Sequence, residues 1–132
     1  MPHSFEDLVN RAADFDLAVL ERDRELAEKV LDADYALVLV HPEPAVMPRD
    51  RWLEVLPDYV VHGWKAEEQL VGVREDVGSI LQLVRMEATV LGQDRSGLFV
   101  ISDIWVVVDD EWRVWRRHSS PLSAGTMPGA EK

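Results

Sequence analysis

Residues 98–108 read LFVISDIWVVV and restrict the fold more than any other stretch. Almost every position is apolar or β-branched, which suits a pleated, buried surface. Asp109, Asp110 and Glu111 interrupt the run, and residues 112–119 then alternate large and polar side chains. Two strands joined by a tight acidic turn follow. A two-residue turn at Asp110-Glu111 pairs 107 with 114, 105 with 116 and 103 with 118. Moving the turn back by one changes the partners but not the faces, because side chains alternate with period two; a three-residue loop would break the match. One face then carries Phe99, Ile101, Asp103, Trp105 and Val107 with Trp112, Val114, Arg116 and His118. The other carries Leu98, Val100, Ser102, Ile104, Val106 and Val108 with Arg113, Trp115 and Arg117.

The first of these strands is apolar on both faces, whereas a strand with one wet face should alternate. Each side therefore needs a cover. Helices can supply one, and a second copy of the chain is the economical cover for the other. The expectation is a homodimer through the face bearing Val100, Ile104, Val106 and Trp115. The opposite face holds Asp103, Arg116 and His118 among aromatics, and charged groups are seldom buried unless paired or functional.

The whole chain, 132 residues, is long enough for one domain with a real core. Its net charge of −11 argues against nucleic acid and anionic membrane surfaces as partners, since both call for basic patches. The Arg113, Arg116 and Arg117 cluster is the local exception and reads as strand-edge solubility and ion pairing. With no cysteine there is no disulfide, thiolate nucleophile or Cys-ligated metal. The N-terminus lacks an apolar leader core, and no run reaches the ~18 apolar residues of a membrane span. A cytoplasmic protein is expected.

Ser4 is a helix cap with Asp7 three residues on. Phe5, Leu8, Val9, Ala12, Phe15 and Val19 recur at helical spacing, predicting a helix over Phe5–Leu20. Asp23 caps a second helix over 24–31. Residues 35–40 form a short strand ended by His41-Pro-Glu-Pro. Pro48 opens a third helix over 49–56, and Pro57 stops it. Residues 59–64 and 69–73 read as one strand broken by the polar stretch 65–68. A turn at Glu75-Asp76 leads into a strand over 79–91, with Ile80, Gln82, Val84, Met86, Ala88 and Val90 on one face. Residues 92–97 turn into the hairpin. The core spans about 4–120, and 121–132 is a Gly-, Pro- and Ser-containing tail expected to be flexible. Helices followed by a run of strands is an α+β pattern. The natural packing is a cone-shaped barrel, three N-terminal helices packed into a strongly curved antiparallel sheet with an open mouth.

In the order and spacing of its long first helix, LDADYALV, RDRWL and SDIWVVVDDEWRVWRRHSS, the chain resembles the nuclear transport factor two-like superfamily, and within it the SnoaL-like domains of unknown function. The resemblance covers residues 4–120. It implies a cone with a pocket inside, often dimeric through the outer sheet face. It also implies a role for Asp103, which falls where ketosteroid isomerases of the superfamily carry an oxyanion-stabilising aspartic acid. SnoaL-like cyclases place an acid–base aspartate on an equivalent strand. The isomerase base aligns near His41, and the first helix has no tyrosine to match the isomerase oxyanion donor. These two departures argue against steroid-type isomerisation.

Asp103 and His118 are the candidate catalytic residues. A carboxylate beside imidazole fixes its tautomer and raises its basicity, and the pair could move a proton next to a carbonyl. The alternative reading is a structural cluster that pins the hairpin register. Arg116, Trp105, Trp64, Met86, Gln82 and His41 are the candidate ligand contacts. No spacing encodes a metal site, even with His62 near Asp103 and His118, and no phosphate loop or serine-nucleophile motif is present. No cofactor is expected. Three functions fit: a dimeric domain binding a small apolar ligand, a lyase, isomerase or cyclase acting on an apolar carbonyl compound, and a protein-interaction module. The first is favoured.

Overall fold

The structure, a computed structural model, describes residues 4–40 and 43–122. His41 and most of the expected tail lie outside the described residues. Helix α1 spans Phe5–Leu20. Ser4 Oγ accepts from the Asp7 amide while the Asp7 carboxylate accepts from the Ser4 amide, the reciprocal cap that satisfies two otherwise orphaned N–H groups. Its inner face buries Leu8, Phe15, Ala18 and Val19. Helix α2, Arg24–Val30, is capped by Asp23 as expected. Helix α3, Arg49–Val55, runs into a short 3₁₀ turn, Leu56–Asp58.

Among the described residues there are seven strands: β1 (Leu31–Leu39), β2 (Ala45–Pro48), β3 (Tyr59–Arg74), β4 (Val77–Val90), β5 (Gln93–Asp94), β6 (Gly97–Val108) and β7 (Glu111–Pro121). Their order across the sheet is β2-β1-β7-β6-β4-β3, with β5 pairing only β4. All neighbours are antiparallel except β1 and β7, which run parallel. The sheet curls around α1, which contacts both β3 and β7, while α3 packs on β1. The result is the expected α+β cone. Its main core joins Leu8, Phe15, Tyr35, Trp52, Trp105 and Trp112, and a second cluster joins Val84, Met86, Ala88, Phe99 and Ile101. Phe15, Tyr35, Trp52 and Trp105 meet at centroid separations of 5.6–6.2 Å, within the range of favourable edge-on contacts.

Three expectations need correction. First, β3 is continuous through 65–68 instead of broken. It lies at the sheet edge, where polar side chains face water, and register shifts between Val61 and Gly63 and between Ala66 and Glu68 absorb the irregularity as bulges. Second, residues 45–48 form an edge strand despite the terminal Pro48; an edge position has a side where no ladder donor is needed. Third, β1 starts at Leu31 instead of 35, directly after α2, so Leu31 belongs to the strand and not the helix. The β6–β7 turn sits at Asp109-Asp110, the alternative one residue back, so Val108 faces Glu111. Both aspartates have positive φ, 50° and 68°. A two-residue turn of this hand needs that backbone to match the strand twist, and Asp tolerates it better than most residues.

Candidate functional site

The hairpin parity places Asp103 on the inner face, with Phe99, Ile101 and Trp105, as expected. It fails beyond Val114. Trp105 faces Val114 but Ile104 faces Arg116, so Trp115 is an extra residue and the strand bulges there. A bulge inserts one residue and exchanges the faces of everything after it. Arg117 therefore points inward and lies directly opposite Asp103, while His118 lies opposite Ser102 and is exposed. The expected Asp103–His118 pair does not form. Arg116, also expected inside, lies on the outer face. There it stacks over the Trp115 ring at 4.2 Å and pairs with Asp34 at 3.5 Å.

Arg117 grips Asp103 through two hydrogen bonds. Nε donates to Oδ1 at 2.7 Å and Nη2 donates to Oδ2 at 2.8 Å. The guanidinium also lies 4.3 Å over the Phe15 ring. Both partners are buried. Burial alone would lower the Arg117 pKa, but the Asp103 carboxylate outweighs it and the net direction is up. Asp16, one turn before Val19 on α1, feels this pair. Its pKa is raised, chiefly by burial, with Arg117 opposing and Asp103 adding to the rise. Burial also raises the Tyr35 hydroxyl, which has no hydrogen-bond partner among the described residues.

Above this polar base the cone holds two small cavities. A chamber of about 90 Å³ near the mouth is lined by Leu37, Leu39, Met47, Trp52, Val55, Leu56, Tyr59, Val90 and Arg95. A deeper chamber of about 30 Å³ shares Leu37, Leu39, Trp52, Tyr59 and Arg95 and reaches Ile101, Arg117 and Ser119. The Tyr59 hydroxyl donates to the Met86 sulfur at 3.6 Å. Its pKa is raised by burial, while Arg117 and Arg95 pull it down. The walls are apolar and the polar groups few and convergent, the lining chemistry of a small-molecule site in a space smaller than a typical ligand pocket. Among the described residues, no group of His, Asp and Glu side chains could hold a metal ion.

The other candidate contacts fall mostly behind these walls. Trp105 is fully buried core with an unpartnered indole N–H. Met86 reaches the site only through its contact with Tyr59. Gln82 is buried and accepts a hydrogen bond from Gln69 at 3.4 Å. Trp64 packs against the second core cluster and borders a narrow cleft with Asp16, Val19 and Leu20. His41 is outside the described residues, and His62 is exposed beside Thr89. Arg95, Arg117, Tyr35, Tyr59 and Asp16 went unrecognised in the sequence. Of these, Asp16 carried a signal, since it shares a helical face with Ala12 and Val19.

No protein-family model matches the chain, and no curated protein matches it in sequence. Solved structures match over nearly its whole length. An NTF2-like protein from Cytophaga hutchinsonii superposes with a TM-score of 0.83 at 11% identity, covering 91% of this chain and 99% of that one. A candidate calcium/calmodulin-dependent kinase II association domain from Exiguobacterium sibiricum gives 0.81 at 15% identity, covering 95% and 99%. An NTF2-like protein of unknown function in nutrient uptake from Rhodospirillum rubrum gives 0.80 at 17% identity, covering 89% and 99%. The fold is therefore the NTF2-like cone that the sequence resembles. At these identities the likeness speaks to fold alone.

Proposed function

We propose that the protein is a homodimeric, cytoplasmic small-ligand-binding domain whose ligand sits inside the cone, and that it belongs with the SnoaL-like members of its superfamily. The observation that carries this reading is the pair of apolar-walled cavities in the cone over the buried Arg117–Asp103 pair. A protein-interaction module would have no need of such cavities. The lyase or isomerase reading has less support. Both Asp103 carboxylate oxygens are occupied by Arg117, and His118 faces away from the cone.

Dimerisation is supported by the outer sheet face. Val100, Ile104 and Val106 are only half-buried within one chain, and Leu70 and Leu81 are 70% and 42% exposed. A groove of about 510 Å³ runs between Leu70, Leu81, Leu83 and Val100. An apolar face of this kind is the sort that a second copy covers. The Exiguobacterium neighbour is by name an association domain, which agrees with such a use of the fold.

A thermal-shift screen of small apolar carbonyl compounds tests the ligand reading. A ligand selective for the folded state raises the melting temperature by mass action. Compounds that do so should lose the effect in Leu39→Trp, which fills the shared wall of both chambers. No stabilising compound at all, or shifts that survive Leu39→Trp, would remove the support for a cone ligand.

A further inference from the structure

We infer that the cone takes a small aliphatic carboxylate, its tail against the apolar walls and its carboxylate on Arg95; this deepens, and rests on, the ligand-binding reading above. Arg95 lines both chambers. Its Nη2 is shielded from solvent, and among the described residues it has no hydrogen-bond partner and Arg95 makes no ion pair. Its guanidinium rests 4.9 Å from the centre of the Phe99 ring, a contact that holds it without satisfying its donors. A shielded cationic donor without an acceptor is costly, and such a group is best explained by an acceptor that arrives with a ligand.

The charge of the lining points the same way. The chain has net charge −11, with 25 acidic residues against 14 Lys and Arg. Yet the two chambers present Arg95 and Arg117 and no carboxylate. The Asp103 carboxylate already neutralises Arg117. Arg95 alone keeps its charge for a ligand. The planar guanidinium fork matches a carboxylate through two parallel hydrogen bonds. The remaining wall at the mouth, Leu37, Leu39, Met47 and Trp52, offers no second cation and little room. That favours a singly charged head on a short hydrocarbon tail.

The test compares hexanoate with the neutral hexan-1-ol at pH 7.5, using NMR-derived dissociation constants for the wild-type protein and Arg95→Gln. Hexanoate should bind at least about tenfold tighter than the alcohol, the size expected of a hydrogen bond to a charged group. Arg95→Gln should abolish that advantage, reducing hexanoate's affinity far more than the alcohol's, and an amide NMR spectrum dispersed like the wild type's shows that the variant is folded. Equal affinities in the wild type, or a hexanoate advantage that survives Arg95→Gln, would overturn the carboxylate assignment and leave the cone reading standing. Failure of both probes to bind would overturn the two together.

Discussion

Arg117 and Asp103 sit directly across the β6–β7 ladder, and their side chains meet through two hydrogen bonds of 2.7 and 2.8 Å at the base of the cone. The bulge at Trp115 makes this possible. Without the inserted residue, Arg117 would face outward with Trp115 and the Asp103 carboxylate would be buried without its cation. A buried carboxylate lacking a partner is strongly disfavoured, so the bulge and the ion pair depend on one another.

Removing either partner leaves the other charge stranded. Asp103→Leu or Arg117→Met should each cost about 3–5 kcal/mol in denaturant titrations, while the double replacement Asp103→Leu/Arg117→Met should cost much less than the two singles summed. Additive losses would show that the pair is not coupled. His118→Ala, on the exposed face, should stay within about 0.5 kcal/mol of the wild type.

Asp16 supplies a pH dependence. Burial raises its pKa above the ordinary 3.8, so the folded state holds this proton to higher pH than the unfolded chain does. The stability linked to it is present below about pH 3.8 and is lost as pH rises through the folded pKa. Asp16→Asn should therefore raise the melting temperature at pH 7, with the gain shrinking toward zero below about pH 4, near the ordinary carboxyl range. A gain that is the same at both pH values would contradict the assignment.

Gly78 has almost no room for a side chain. A Cβ there would come within 2.6 Å of Leu8 Cδ2 and 3.4 Å of the Trp112 ring. Leu8 is fully buried and has little freedom to retreat. Gly78→Ala should lower stability by about 1–3 kcal/mol through overpacking. A neutral outcome in chemical unfolding would mean that α1 can move off β4.

The outer face gives an assembly prediction. Ile104→Glu should convert a wild-type dimer to a monomer in light scattering, because it places a charge within the apolar patch. A wild-type protein that stays monomeric at high concentration would refute dimerisation.

Much of this fold was legible. The helical spacing of Phe5, Leu8, Phe15 and Val19, the alternation from Ile80 to Ala88 and the acidic hairpin turn each specified an element and its inner face. Asp103 was placed correctly by the same period-two reasoning. What failed was non-local or unmarked. The bulge at Trp115 has no residue signature, since any side chain can occupy it, and one inserted residue was enough to exchange Arg117 for His118. The parallel pairing of β1 with β7 joins residues such as Leu37 and Arg117 from opposite ends of the chain, a contact no local pattern encodes. Arg95 was hidden in a stretch read only as a turn, where its role depends on where β5 docks against β4. Asp16 could have been found, because a carboxylate on an otherwise apolar helical face is the exception that buried polar groups make.

The most direct test of the account is to ask where a ligand lands. In methyl NMR spectra, a titration with a small apolar carbonyl compound should shift the methyl signals of Leu37, Leu39, Met47 and Val55, the walls of the mouth chamber. Leu70 and Leu81, on the outer groove, should not move. Shifts confined to the outer groove, or none anywhere at saturating compound, would contradict the claim that the cone is a ligand site.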